Sequence, residues 1–337
     1  MIEKNINEAL VKKEPAARAL LTYLYQLDEK LKFEDAAVYH KFPIYPNVDS
    51  DSTISANVIF VSRNHGVFIF QTIECSNRER ISIEDYESKL SEIDRLVFAK
   101  VMRELPSLQK NRRSLKIEIV PIVYLNNFNG EYSVDSEFDI IDNIKQLEDI
   151  ITGSFAEDII SPIEFKELKS TIEGSKGIPK QRERELQNEK DFENSMGAIL
   201  SAIENEIYNF DLEQKRAALF VIDGAQRIRG LAGSGKTVIL AMKAALIHLQ
   251  YPEATVLYTY NTKSLNDIVK NLITRFYRQF ADRDPNWSKI QIMHAWGGNI
   301  WKEFIQILVS IMDYLQLIME QQKEVLVVVP LDMFVRS

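Results

Sequence analysis

Between residues 14 and 32 the apolar positions recur at helical spacing, with Leu20, Leu21, Leu24 and Leu27 on one broad face. The period then changes. Runs at 57–61, 66–73 and 115–125 read as strands, and His65 with Gly66 supplies the turn of a hairpin between the first two. Helical spacing returns at 86–104, between the second and third strands, and again at 138–152 and 157–172. A helix, a hairpin, a helix and a strand in this order predict an α/β fold.

The pattern breaks at 173–190 (EGSKGIPKQRERELQNEK), where Gly, Pro and charges displace the apolar period and mark a linker. A helix is predicted at 191–209, and a second unit from about Phe210. In that unit, 219–222 reads as a short strand. A helix follows at 237–249 with Ile239, Leu240, Ala244 and Ile247 at helical spacing, then a parallel strand at 254–259. A third strand starts at Ile290 and leads into His294 and Trp296. The apolar stretch 304–319 is interrupted by Gln306, Asp313 and Gln316, so it is too short and too polar to span a bilayer.

Composition narrows the class. The chain has 337 residues, room for about two domains, with 45% hydrophobic and 27% charged residues, as globular proteins have. Gly 12 and Pro 10 exclude a collagen-like or linker-dominated chain. One Cys excludes a disulfide framework and fits a reducing compartment. The first residues, MIEKNINEAL, lack a basic segment followed by an apolar run, so a cytoplasmic location is expected, with no membrane partner. A net charge of −8 argues against a general polyanion binder, although a local basic groove can sit on an acidic protein. His40, His65, His248 and His294 are scattered and Cys75 has no second Cys, so no zinc spacing exists. The short run 180–184 (KQRER) reads as a solvated helix start rather than a nucleic-acid arm.

The strongest chemical signal is 230–237, GLAGSGKT, which fits G-x-x-x-x-G-K-[ST]. Small residues let successive backbone N–H groups curl around phosphates, and the following helix directs its N-terminus at them. In this reading Gly230, Gly233, Ser234 and Gly235 form the cradle for ATP. Lys236 neutralises the β/γ-phosphates, and the Thr237 hydroxyl binds Mg²⁺. Gln214 precedes the loop; its amide can donate to and accept from an adenine edge, or simply be a solvated helical Gln.

With the polar segment 260–265 (YNTKSL) and Met293-His294 after successive strands, these features resemble the first recombinase-like domain of superfamily 1 helicases of the UvrD/Rep type, over about 205–300. The resemblance implies a Q-motif Gln at Gln214 and single-stranded DNA along Tyr260, Asn261, Lys263 and His294. Trp296 would either stack near a base or serve as a core aromatic. It also implies a Walker B Asp-Glu pair and a second motor domain. The nearest run to Walker B, 325–332, ends in Asp332 followed by Met333 rather than Glu, and Pro330 interrupts it. The chain is therefore expected to be the opening portion of a longer helicase-like protein. Residues 302–337 are expected to be an atypical tail, as a shifted reading frame would produce.

The hairpin at 56–74 resembles the core of PD-(D/E)XK nucleases, particularly the NERD-type domains fused to helicases, with 14–32 as the preceding helix and 116–125 as the next core strand. In that family an Asp opens one strand and Glu-x-Lys closes the next. Here Glu74 matches the Glu, but Asn57 stands for the Asp and Ser76 for the Lys; Asp49 and Asp51 are nearby substitutes. The expected fold is a restriction-endonuclease-like α/β domain at 1–172, without activity, followed by a linker and helix at 173–209. A partial P-loop (RecA-like) parallel-sheet domain is expected at 210–301. The expected function is ATP and DNA binding in a helicase/ATPase class, without unwinding by these residues alone. A nucleotide-sensing protein that docks a protein partner and a nucleotide-controlled, metal-dependent nuclease are the alternatives.

Overall fold

The computed structural model describes residues 2–46, 53–75, 83–128, 136–154, 159–175, 212–219, 226, 228–231, 233–260, 265–294 and 326–328. The chain divides into two compact units, and the change from one to the other falls between Glu173 and Gly174.

The first unit is mixed α/β. Its sheet runs in the order β1 (Ile2–Asn5), β2 (Ala36–His40), β5 (Val58–Ser62), β6 (Gly66–Glu74), β9 (Ile119–Asn126), β10 (Asp139–Ile141). β2, β5 and β6 are antiparallel neighbours, whereas β1 on β2, β9 on β6 and β10 on β9 are parallel. The central strands are apolar at consecutive positions because both faces are covered. On one face Val58, Phe60, Phe68 and Phe70 pack with Leu20, Leu24 and Leu27 of helix α2 (Pro15–Leu31). Period-2 alternation turns Ile59, Val61, Val67 and Ile69 to the other face. Helix α3 (Glu84–Glu104) packs on β6 and β9 and buries Leu90, Ile93, Val97 and Val101.

Several boundaries differ from the periodicity. The predicted strand 115–125 is two strands, β8 (Ser114–Leu115), paired with β7 (Gln109–Asn111), and β9. The break comes where the Lys116 N–H turns away to the Leu108 carbonyl at 2.8 Å. The predicted helix 138–152 opens with β10. Helix α4 (Ile144–Gly153) starts only after Asn143, whose side-chain oxygen accepts from Lys145 N–H and Gln146 N–H at 3.0 Å each. Helix α5 (Pro162–Ile172) likewise starts late, fixed by a capping box between Ser161 and Glu164 and by Pro162 in its first turn. A short helix α1 (Glu8–Val11), β1, β2 and the small β3 (Ile44–Pro46)–β4 (Thr53–Ser55) ribbon were not visible in the pattern. At the end of α5, the buried Tyr39 hydroxyl of β2 donates to Glu173 Oε1 at 2.7 Å.

The second unit holds helices α6 (Leu212–Leu219), α7 (Lys236–Gln250) and α8 (Asn266–Arg278). Its described strands are parallel, in the order β12 (Ile290–His294), β11 (Val256–Tyr260), β13 (Leu326–Val328). Helix α7 is apolar almost all round, and Ala241, Ala244 and Ala245 leave room for the neighbouring α6 and α8. Leu219, expected to open a strand, instead closes α6; 220–222 lie outside the described residues, as do the linker from 176 and the helix at 191–209. The run expected to imitate Walker B contributes β13, which stops at Val328, ahead of Pro330. Among the described residues no helix is long and apolar enough to cross a membrane.

Candidate functional site

Helix α7 begins at Lys236 directly after a glycine-bearing turn. Gly233 has φ 81° and Gly235 has φ 73°, a left-handed backbone that a residue with a Cβ adopts only under strain. Gly230 is packed closely against the same turn: a Cβ there would lie 2.3 Å from Ser234 Oγ, which would have to turn away. The Ser234 N–H donates to the Leu231 carbonyl at 3.2 Å and closes the turn.

The Lys236 ammonium folds back over this turn. It donates to the carbonyls of Gly230 at 2.9 Å and Leu231 at 2.7 Å, with Ser234 Oγ at 3.5 Å. Gly230, Leu231 and Gly233 are exposed, and Ser234 through Thr237 are half-buried. An accessible ammonium therefore meets the unsatisfied N–H groups and positive dipole end of a fifteen-residue helix. Chemically that is a cradle for an oxyanion. Thr237, the second residue of α7, brings a hydroxyl to the same end. No group of three or more His, Cys, Asp or Glu that could hold a metal is found among the described residues. The donor set therefore fits a phosphate well, and fits Mg²⁺ through a single hydroxyl plus the phosphate's own oxygens.

Gln214 is brought to the loop from α6. Its Nε2 donates to the Ser234 carbonyl at 3.3 Å and lies 3.6 Å from where a Cβ on Gly235 would be. Helix α6 is fastened by a residue that lies outside the glycine-rich motif. Lys243 is buried in α7, and its Nζ donates to the Ala217 carbonyl at 3.0 Å. The available signal was one charge inside the otherwise apolar run 239–247.

Burial pulls the Lys243 pKa down to about 8 from its ordinary 10.5. The unfolded chain thus holds a proton that the folded one has released between those values, so stability of the second unit rises as pH rises from about 8 to 10.5. The span is worth about 3 kcal/mol. The unfolding midpoint in urea is expected to increase over that range. Lys243→Met is expected to flatten the increase; a parallel rise in the variant would contradict the assignment.

Tyr260 and His294 face each other in register at the ends of β11 and β12. The Tyr260 side chain is buried, with its hydroxyl accepting from Asn266 Nδ2 at 2.9 Å, so it offers little surface to a ligand. Asn261, Lys263 and Trp296 lie outside the described residues.

In the first unit, Asn57 does backbone work. Its Oδ1 accepts from Thr72 N–H at 3.1 Å, and its own N–H donates to the Phe70 carbonyl at 3.1 Å. Glu74 is exposed at the end of β6, and its two oxygens accept from Asn126 Nδ2 and Asn127 Nδ2 at 2.8 Å each. The pair therefore presents one carboxylate, held by hydrogen bonds from two neutral amides rather than by an ammonium. Ser76, Asp49 and Asp51 lie outside the described residues. No family model, curated protein or solved structure matches the chain.

Proposed function

We propose that the second unit is an ATP-binding P-loop module of the superfamily 1 helicase type. The first unit is a restriction-endonuclease-like scaffold that docks DNA without cutting it. The observation that carries the reading is the convergence of Lys236, two left-handed glycines and the Gln214 amide on one helix N-terminus. The parallel β11–β12 pair, with β11 buried along its length, supports an α/β nucleotide module. Nucleotide binding rather than unwinding is assigned, because Met333 follows Asp332 where a water-activating Glu belongs.

In the first unit, the order α2, three antiparallel strands (β2, β5, β6), α3 and parallel β9 supports the nuclease-like core. The amide at Asn57 supports the loss of its chemistry, since it cannot supply an anionic metal ligand.

Titration with ATP and Mg²⁺ in a calorimeter tests the first half; no heat and no competition with a fluorescent ATP analogue would sink it. Incubation of plasmid with the protein and Mg²⁺ or Mn²⁺ tests the second. No cleavage is expected, and cleavage abolished by Glu74→Gln would replace the scaffold by a nucleotide-controlled nuclease.

A further inference from the structure

Lys30, Lys41, Arg63, Lys116 and Lys169 each sit against a carboxylate of the first unit. The tip of the β7–β8 hairpin carries charge of one sign only. Lys110, Arg112 and Arg113 are exposed there, and none has an ion-pair partner among the described residues. Arg112 and Arg113 are the two turn residues between the paired Asn111 and Ser114.

Tight two-residue hairpins favour Asn or Gly with positive φ, and neither arginine has one. The turn is held instead by Asn111 Oδ1, which accepts from Arg113 N–H at 2.8 Å, and by a bulge between Gln109 and Asn111. The base is anchored on both strands. Gln109 Nε2 donates to the Met102 carbonyl at 2.6 Å, Lys116 Nζ reaches Glu164 at 3.2 Å, and Leu108 and Leu115 are buried. The fold thus places two adjacent arginines at the end of an anchored ribbon.

We propose that this hairpin is a nucleic-acid docking arm, in which Arg112 and Arg113 grip successive backbone phosphates and Lys110 adds a third contact. The planar fork of Arg matches phosphate oxygens in pairs, and a fixed turn lowers the ordering cost of the contact. A two-stranded ribbon is also narrow enough to enter the major groove. With a net charge of −8 the chain offers no general polyanion surface, so this attraction is local. A membrane is the weaker fit, because Asn111 and Ser114 flank the arginines where an inserting loop would present large apolar residues.

The inference rests on the proposed function only for the class of partner; its residues belong to the other unit.

The test is fluorescence anisotropy of labelled duplex and single-stranded oligonucleotides with the full chain, across a range of salt. Arg112→Ala/Arg113→Ala is expected to weaken binding about tenfold or more, and to reduce the salt slope by roughly 2, one for each lost phosphate contact. Arg112→Lys/Arg113→Lys is expected to keep most of the slope, and neither change should move the unfolding temperature. Unchanged affinity and slope in the alanine variant, no DNA binding by the parent chain, or arginine-dependent binding to phosphatidylserine vesicles instead of DNA would each overturn the proposal. If nucleotide binding disappears in Lys236→Ala while the alanine hairpin binds DNA normally, the arm fails and the ATP module stands. If ATP does not bind but the hairpin variant loses DNA, the reverse holds.

Discussion

Lys236→Ala is expected to weaken binding of ATP and Mg²⁺ by about a hundredfold, roughly 3 kcal/mol, while leaving the unfolding temperature of the nucleotide-free protein essentially unchanged. The size follows from what the ammonium does in each state. Without nucleotide it is shared between the Gly230 and Leu231 carbonyls, both on exposed loop positions where water can replace it. With nucleotide it would exchange neutral acceptors for anionic oxygens, and each charge-assisted bond is worth about 1.5–3 kcal/mol. Losing Nζ therefore costs binding far more than folding. Gly235→Ala makes the contrast. It keeps the charge but forces a Cβ into φ 73°, a strain of about 1–2 kcal/mol, so a smaller loss of affinity is expected. Calorimetric titration of the two variants checks the order; equal affinity of Lys236→Ala and the parent would remove the phosphate assignment.

How legible this was depends on the range of each interaction. The leucine face of α2 and the apolar runs of β5 and β6 are local patterns, and the structure has those elements at Pro15–Leu31, Val58–Ser62 and Gly66–Glu74. The glycine turn and Lys236 were readable because a phosphate cradle is built from consecutive residues. By contrast, β1 is four residues, IEKN, without useful alternation, and becomes a strand only by pairing with Ala36–Tyr39. The split of 115–125 depends on Leu108, and the late start of α4 depends on a single asparagine cap. Around Glu74, the absence of the Asp and Lys that the proposed nuclease-like reading would need was visible in the residue types. That Asn126 and Asn127 hold Glu74 across 52 and 53 residues was not. The arginine tip escaped notice because a basic stretch gains meaning only once its two central residues occupy a turn.

Phe60→Ala is expected to destabilise the first unit by about 4 kcal/mol, the upper part of the range for removing a buried ring. The ring is fully buried on β5 and packs against Phe33 at 5.0 Å and its cross-strand partner Phe68 at 6.0 Å between centroids. Aromatic pairs add about 0.5–1.5 kcal/mol beyond area, so two pairs are lost with the transfer term. The site also resists collapse. β5 is hydrogen-bonded to β2 on one side and β6 on the other, and the facing α2 presents Leu20, Leu24 and Leu27 from a continuous helix. The strand cannot move inward without breaking its ladders, and the helix can close the gap only by shifting as a whole, so most of the cavity stays open. Phe60→Leu should lose less, about 1–2 kcal/mol, because the branched side chain still fills part of the space. Against a usual total of about 5–15 kcal/mol, the alanine change takes a large fraction of the margin. The urea midpoint of the first unit should fall with its slope unchanged, and the thermal midpoint should drop by about 8–16 °C. A loss below about 1 kcal/mol would mean that the sheet and helix can close over the gap, and that the two-faced packing does not hold β5 in place as argued.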